Sequence, residues 1–215
     1  MSNRLIELDL KYLINDKNKN MHSLLVKDTI QMFANSRYPD MEESTKVKLE
    51  KLLVPAEYKK GDIICKQGVP VKDIFLVGKG MIRQYYVKDE KEITEHFSYE
   101  GCVFMFIESM LRDETNYLAA EALEPTILYR ISYEKLLEAT HTDWGLNVMY
   151  RRILEHSLVV SQKKAYTTRF NTAKERYNTV LKEHPEVVKR APLNYIASYI
   201  NMTPETLSRV RSGVL

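Results

Sequence analysis

From residue 23 to residue 34, and again from 42 to 53, apolar side chains recur at helical intervals. Leu24, Leu25, Ile30 and Phe33 mark the first run and Val47, Leu49, Leu52 and Leu53 the second, with Pro39 and Pro55 as punctuation. Two short helices are predicted there, preceded by a polar N-terminal extension over residues 1–22. Between Glu57 and Ile131 the texture changes: five of the seven glycines fall here and separate short runs rich in β-branched and aromatic residues. Those runs, 62–65, 74–77, 81–87, 93–97 and 126–131, predict an antiparallel sandwich or barrel, with Asp89-Glu90 as a hairpin tip.

After Ser132 the pattern is helical to the end. A helix from Asp143 to about Tyr166 would be about 35 Å long. Leu146, Met149, Tyr150, Ile153, Ser157 and Val160 form one stripe on it, while Trp144, Val148, Leu158 and Val159 lie on the other side. A helix apolar on two sides must bury both, one on the barrel and one on the same helix of a second copy; the alternative, which the charges Arg151, Arg152 and Glu155 on the far side keep open, is a helix central to a monomeric core. Leu146, Met149, Ile153, Ser157 and Val160 of the first stripe are taken as the dimer interface. A further helix over 172–183 is stopped by His184-Pro185, and residues 186–191 read as a connector.

Residues 193–211 fit the spacing of a helix-turn-helix. The apolar slots fall on Ile196, Ile200, Met202, Leu207 and Val210, the small residue at the helix crossing is Ala197, and Asn201 stands at the turn, where positive φ is required. Thr203-Pro204 opens the second helix as a hydroxyl cap and a first-turn proline. Glu205, Thr206, Ser208 and Arg209 then lie on the half that would meet base edges in a major groove. Arg209 can donate to guanine O6 and N7, and Glu205 can accept from cytosine N4.

Charge supports this division. Residues 151–215 hold 12 Lys/Arg against 5 Asp/Glu, whereas the rest of the chain holds 20 against 24. A basic third on an acidic body suits an end that meets phosphates, with Lys189, Arg190, Arg211, Lys174 and Arg176 as backbone anchors. No run of about 20 apolar residues could span a bilayer, and no signal-like segment opens the chain, so a cytoplasmic protein that does not bind membrane is expected. Cys65 and Cys102 lack metal-site spacing, and the five histidines are scattered. No metal, no cofactor and no enzyme activity is called for.

These features together resemble the Crp/Fnr superfamily of bacterial transcription regulators, over roughly residues 28–211. In the barrel the resemblance rests on Lys59-Lys60-Gly61-Asp62, Lys66-Gln67-Gly68, Gly78-Lys79-Gly80 leading to Met81-Ile82-Arg83, Glu100-Gly101 and Glu121-Ala122-Leu123-Glu124; in the tail it rests on Ile196-Ala197-Ser198 and Glu205-Thr206-Leu207-Ser208-Arg209. It implies an α+β chain: an antiparallel β jelly roll of cyclic-nucleotide-binding type over 23–142, a dimerisation helix over 143–168, and an all-α helix-turn-helix domain over 169–215 with a reduced or absent wing. The partners implied are double-stranded DNA on a pseudo-palindromic operator, a second copy of the chain, and RNA polymerase.

Members that bind cyclic nucleotide hold it with a Gly-Glu pair and an Arg-Ser/Thr pair. The corresponding positions here are Met105-Phe106 and Asn116-Tyr117, so neither the phosphate-neutralising arginine nor the ribose-binding carboxylate is present. Tight binding of cyclic AMP is not expected. Phe104, Phe106, Glu108, Asn116 and Tyr117 are the candidate lining of a pocket for an unidentified effector, or of a filled core. Pro204 replaces a base-reading arginine, so the operator sequence cannot be carried over. The competing reading is a ligand-binding signalling module whose helical tail contacts protein rather than DNA.

Overall fold

The computed structural model describes residues 22–214; nearly all of the expected N-terminal extension lies outside them. Helix α1 (22–37) is followed by α2 (Glu43–Leu52) and by eight strands: β1 (Val54–Tyr58), β2 (Ile63–Cys65), β3 (Asp73–Lys79), β4 (Ile82–Lys88), β5 (Lys91–Ser98), β6 (Val103–Phe104), β7 (Ala119–Ala122) and β8 (Thr126–Ser132). A short helix α3 (Ile107–Arg112) lies between β6 and β7. The helical part comprises α4 (Tyr133–Thr142), α5 (Trp144–Phe170), α6 (Ala173–Glu183), α7 (Pro185–Arg190), α8 (Leu193–Tyr199) and α9 (Pro204–Arg211).

The strands form two antiparallel four-stranded sheets, in the orders β1-β8-β3-β6 and β2-β7-β4-β5. Alternation along β3 shows how the layers are made. Phe75 and Val77 point between the sheets, where Phe75 stacks on Phe104 with ring centroids 4.7 Å apart, while Ile74 and Leu76 point outward under the helices. Both faces of the strand are thus buried, so its apolar run is nearly continuous. At the expected hairpin tip Asp89 and Glu90 both take positive φ, 50° and 61°, the twist that a two-residue hairpin loop demands. Gly80 is irreplaceable on two counts: φ is +97°, and an added Cβ would lie 2.3 Å from Thr126 Oγ1.

Helices α1, α2, α4 and the first half of α5 cover the outer face of the first sheet. Gly145 brings α5 down on α2, because any Cβ there would meet Thr45 Oγ1 at 2.0 Å. Asp143 caps α5, its carboxylate accepting from Leu146 N–H at 2.8 Å and forming an ion pair with Lys48.

This packing corrects the expected dimer stripe. Leu146, Met149 and Ile153 are buried in the subunit's own core beside Phe33, Leu49 and Leu136, and Ser157 and Val160 are half-buried on the same side. The uninterrupted aliphatic side of α5 is the one its own barrel takes. Its other side leaves Trp144 (73% exposed), Leu158, Val159, Tyr166 and Phe170 (68%) in the open, interspersed with Arg151, Arg152 and Glu155. The helix also runs to Phe170, two residues beyond the expected 168, and the expected connector is mostly the helix α7.

The tail does not stand apart from the barrel. Val180, Val187, Ile196, Ala197, Ile200 and Leu207 share one core with Met81 of the barrel, bordered by Phe97, Tyr99 and Leu123. Helix α8 lies against β5, where Thr94 N–H donates to Ser198 Oγ at 2.9 Å.

Candidate nucleic-acid interface

Helices α8 and α9 cross where the side chain is smallest: Ala197 is 0% exposed and packs with Ile196, Ile200 and Leu207. The chain turns at Asn201 with φ 53°, as the residue type predicts, and Met202 N–H donates to Ala197 O at 3.0 Å. Thr203 caps α9 by accepting from Thr206 N–H at 3.2 Å, and Pro204 occupies the first turn.

With Leu207 and Val210 facing inward, Glu205, Ser208, Arg209 and Arg211 lie on the exposed face of α9. Thr203 is exposed at its start, but the Thr206 hydroxyl is half-buried and shares a 3.1 Å hydrogen bond with Thr203. A backbone hydrogen bond to its carboxylate and the Thr203 hydroxyl, with Arg209 nearby, hold Glu205 below the usual carboxylate range, so it is an acceptor at neutral pH. Lys189 is exposed and paired with Glu186 at 2.8 Å.

Arg190 departs from its expected role as a phosphate anchor. Its guanidinium donates to both carboxylate oxygens of Glu100, at 2.8 and 3.0 Å, and also to Glu124. Gly80 N–H donates to Glu100 Oε1 at 2.8 Å. Burial alone would push Glu100 up, but the Arg190 and Gly80 hydrogen bonds hold it below its ordinary value, while the carboxylates push Arg190 further up. The basic side chain is turned into the barrel because two acids of the corner motifs meet it there. Arg176 is likewise engaged, donating to Ile200 O at 2.8 Å and Asn171 O at 2.7 Å, so it braces the turn.

A second joint between tail and barrel was not legible in the sequence. Arg83 on β4 is 0% exposed; it donates to Glu121 at 3.0 Å and Glu92 at 2.5 Å. Its guanidinium lies between the rings of Tyr85 and Tyr195, at 4.1 and 3.6 Å from their centroids. Tyr195 comes from α8, so the helix-turn-helix supplies one wall of a buried cation's site. An arginine among strand residues predicts only an outward-facing charge; nothing in its neighbours announces the tyrosine that covers it.

The five candidate effector residues are brought together. Phe104, Phe106, Glu108, Asn116 and Tyr117 all line one cavity of about 240 Å³ at the mouth of the barrel, against Gln84, His96 and the Ser157–Ser161 turn of α5. Phe104 and Phe106 are nevertheless core side chains packed edge to face at 6.4 Å. Asn116 is buried and structural on one side: its Nδ2 donates to Val69 O at 2.7 Å and Lys66 O at 3.3 Å, fixing the Lys66-Gln67-Gly68 turn. Its Oδ1 is buried without a partner among the described residues. Among the described residues no cluster of His, Cys, Asp or Glu could hold a metal ion, and no helix is long and apolar enough to cross a membrane.

Comparison with known proteins agrees with this architecture. Residues 55–143 match the cyclic nucleotide-binding domain family. The chain is 26% identical over 165 residues to the transcriptional activator protein anr of Pseudomonas aeruginosa, a match covering 71% of this chain and 66% of that protein. Among solved structures it resembles FixK2 from Bradyrhizobium japonicum (TM-score 0.65, 22% identity, 75% of this chain and 84% of that one). It also resembles the c-di-GMP responsive global regulator CLP of Xanthomonas campestris (TM-score 0.63, 16% identity, 80% and 91%). With an eight-stranded antiparallel barrel, a long following helix and a helix-turn-helix in that order, the chain shares the fold of the FixK2 and CLP structures, and its barrel carries the cyclic nucleotide-binding domain match.

Proposed function

We propose that the chain regulates transcription as a homodimer that reads a pseudo-palindromic DNA site with α9 and works in the cytoplasm by binding rather than by catalysis. The observation that carries this is the division of α9: Leu207 and Val210 are buried, and the polar set Glu205, Ser208, Arg209 and Arg211 is left outside. A helix that packed against a protein partner would be expected to offer an apolar outer face. Arg209 and Glu205 supply base readout, Ser208, Thr203 and Thr206 adjust the fit, and Arg211 with Lys189 meets phosphates.

The second copy covers the open side of α5, where Trp144, Leu158, Val159, Tyr166 and Phe170 form an apolar ridge. Two α9 helices one DNA turn apart, about 34 Å, then address two half-sites. RNA polymerase is the further partner such a regulator addresses. A cyclic nucleotide does not suit the barrel as its binders hold it: Met105-Phe106 and Asn116-Tyr117 carry no cation at those positions and Glu108 would oppose the phosphate, while the cavity's arginine, Arg37, comes instead from the end of α1.

The test is selection of bound genomic fragments followed by a shift assay at several salt concentrations. Arg209→Ala should lower affinity for the selected site by about 1–3 kcal/mol and relax preference at one base pair, whereas Lys189→Ala should weaken all sequences alike. Unchanged site selection by Arg209→Ala would overturn the assignment of α9 as the reader.

A further inference from the structure

A second cleft, of about 360 Å³, lies between the barrel, α5 and the α6–α7 junction. It joins the barrel-mouth cavity, because Arg37, Tyr99, His156, Val160, His184 and Tyr199 line both. It is therefore walled by the end of α1, by the corner after β5, by α5 and by the DNA-reading part of the chain. A molecule held there would touch both halves of the protein.

The charges around it are uneven. Lys163 and Glu183 face it but satisfy each other, and Lys164 is held by Glu95 at 2.9 Å. Arg176 spends its guanidinium on backbone carbonyls. Among the described residues Arg37 alone of these cations keeps a free charge: its one hydrogen bond there goes to the neighbouring Ser36 O at 3.4 Å, and no carboxylate of those residues lies within ion-pair distance of it. Beside it stand His156 on α5 and His184 at the α6–α7 junction, whose Nδ1 is 3.4 Å from the Tyr99 hydroxyl. Tyr99 and Tyr199 complete the titratable wall.

We propose that this cleft binds a small dianionic metabolite, a phosphate monoester or a dicarboxylate, with Arg37 as its principal anchor and His156 and His184 as its proton-linked partners. A cation lining a cleft without a counter-charge is the electrostatic complement of such an anion. The two histidines are held neutral at present. Burial lowers both; Arg37 and His184 lower His156 further, and for His184 the Glu183 carboxylate only partly offsets burial, Lys163 and Arg37. An arriving dianion reverses the sign of the local field, so each histidine takes up a proton as it binds and becomes a second charged donor. The site is separate from α9 and does not depend on DNA being the partner.

The experiment is calorimetric titration of the full-length protein with sulfate, glycerol 3-phosphate and succinate, at about pH 6 and about pH 8. Sulfate is the constant-charge reference, so its pH dependence belongs to the protein. Saturable binding that tightens about tenfold toward pH 6, with net proton uptake, is expected in the sulfate arm and in at least one of the other two. Arg37→Gln should weaken it about tenfold while Arg37→Lys keeps most of it, and Arg209→Ala should leave it unchanged. Histidine side-chain NMR should show the midpoints of His156 and His184 rising with ligand. Absence of saturable binding in all three arms, binding indifferent to pH, or retention in Arg37→Gln would overturn the proposal. Loss in Arg209→Ala would overturn it too, by placing the anion on the DNA face.

Discussion

Arg190 of α7 and Glu100 of the barrel corner meet in a two-pronged ion pair, in which Nη1 donates to Oε2 at 2.8 Å and Nη2 to Oε1 at 3.0 Å. The residue that joins the helix-turn-helix part to the barrel is thus the one whose basic character would otherwise assign it to phosphate. Glu100→Gln leaves the guanidinium with a weaker partner in a partly buried site, and about 1–2 kcal/mol of stability should be lost, discounted from the buried-pair range for solvent access. Hydrogen exchange in α7–α9 should quicken first, because the joint opens before the barrel does. Exchange that rises uniformly over the chain would show that the pair does not secure the docking.

On the open side of α5, Leu158→Glu should shift the proposed dimer toward monomer in analytical ultracentrifugation with little change in monomer stability, since Leu158 is exposed. Ile153→Ala is the opposite case. It removes a side chain from the subunit's own core and should cost about 2–4 kcal/mol in urea unfolding without a direct effect on association. If Leu158→Glu stayed dimeric while Ser157→Glu dissociated, the two sides of α5 would have to be exchanged again.

His96 is half-buried, and desolvation and Lys164 depress it, Glu95 offsetting them only in part, to about 4 against an ordinary 6.5. Between those values the unfolded chain binds the proton and the folded chain refuses it. Stability therefore falls as pH drops from about 6.5 toward 4, by up to about 1.4 kcal/mol per pH unit from this group. His156 and His184 add to the slope in the same direction. Urea midpoints at pH 7 and pH 5 should differ accordingly, and His96→Gln should flatten the dependence; an unchanged slope would rule His96 out as its source.

Thr203 is the sole side-chain cap of α9, and Thr203→Ala should cost about 1 kcal/mol. Asn201→Gly should be neutral or slightly stabilising at φ 53°, whereas Asn201→Val should cost more than the cap. Circular dichroism melts of the three variants check the order.

What could be read along the chain was whatever local chemistry decides. The period of two in the strands, the positive φ at Asn201, the Thr203-Pro204 opening and the small Ala197 all follow from residue type at a fixed spacing, and the structure repeats them. The five residues 104–117 line one cavity, since β6, α3 and the segment before β7 follow one another closely along the chain. Long-range choices were harder. Both sides of α5 are apolar, and periodicity cannot say which meets the barrel; the aromatics Trp144, Tyr166 and Phe170 among charged neighbours were the only hint. Arg190 looked like a phosphate ligand because its partners Glu100 and Glu124 lie at least 66 residues away. Strand β7, Ala119–Ala122, has too little side chain to carry a strand signal, and β6 is only two residues long.

The shared core around Met81 sets a thermal condition on any movement of the reading head. Swinging α8 and α9 away from the barrel would wet Met81, Phe97 and Leu123 on one side and Ile196 and Ile200 on the other. Exposure of that apolar surface carries a positive heat-capacity change, so the undocking equilibrium is curved in temperature, and the grip of barrel on reader loosens on cooling as well as on strong heating.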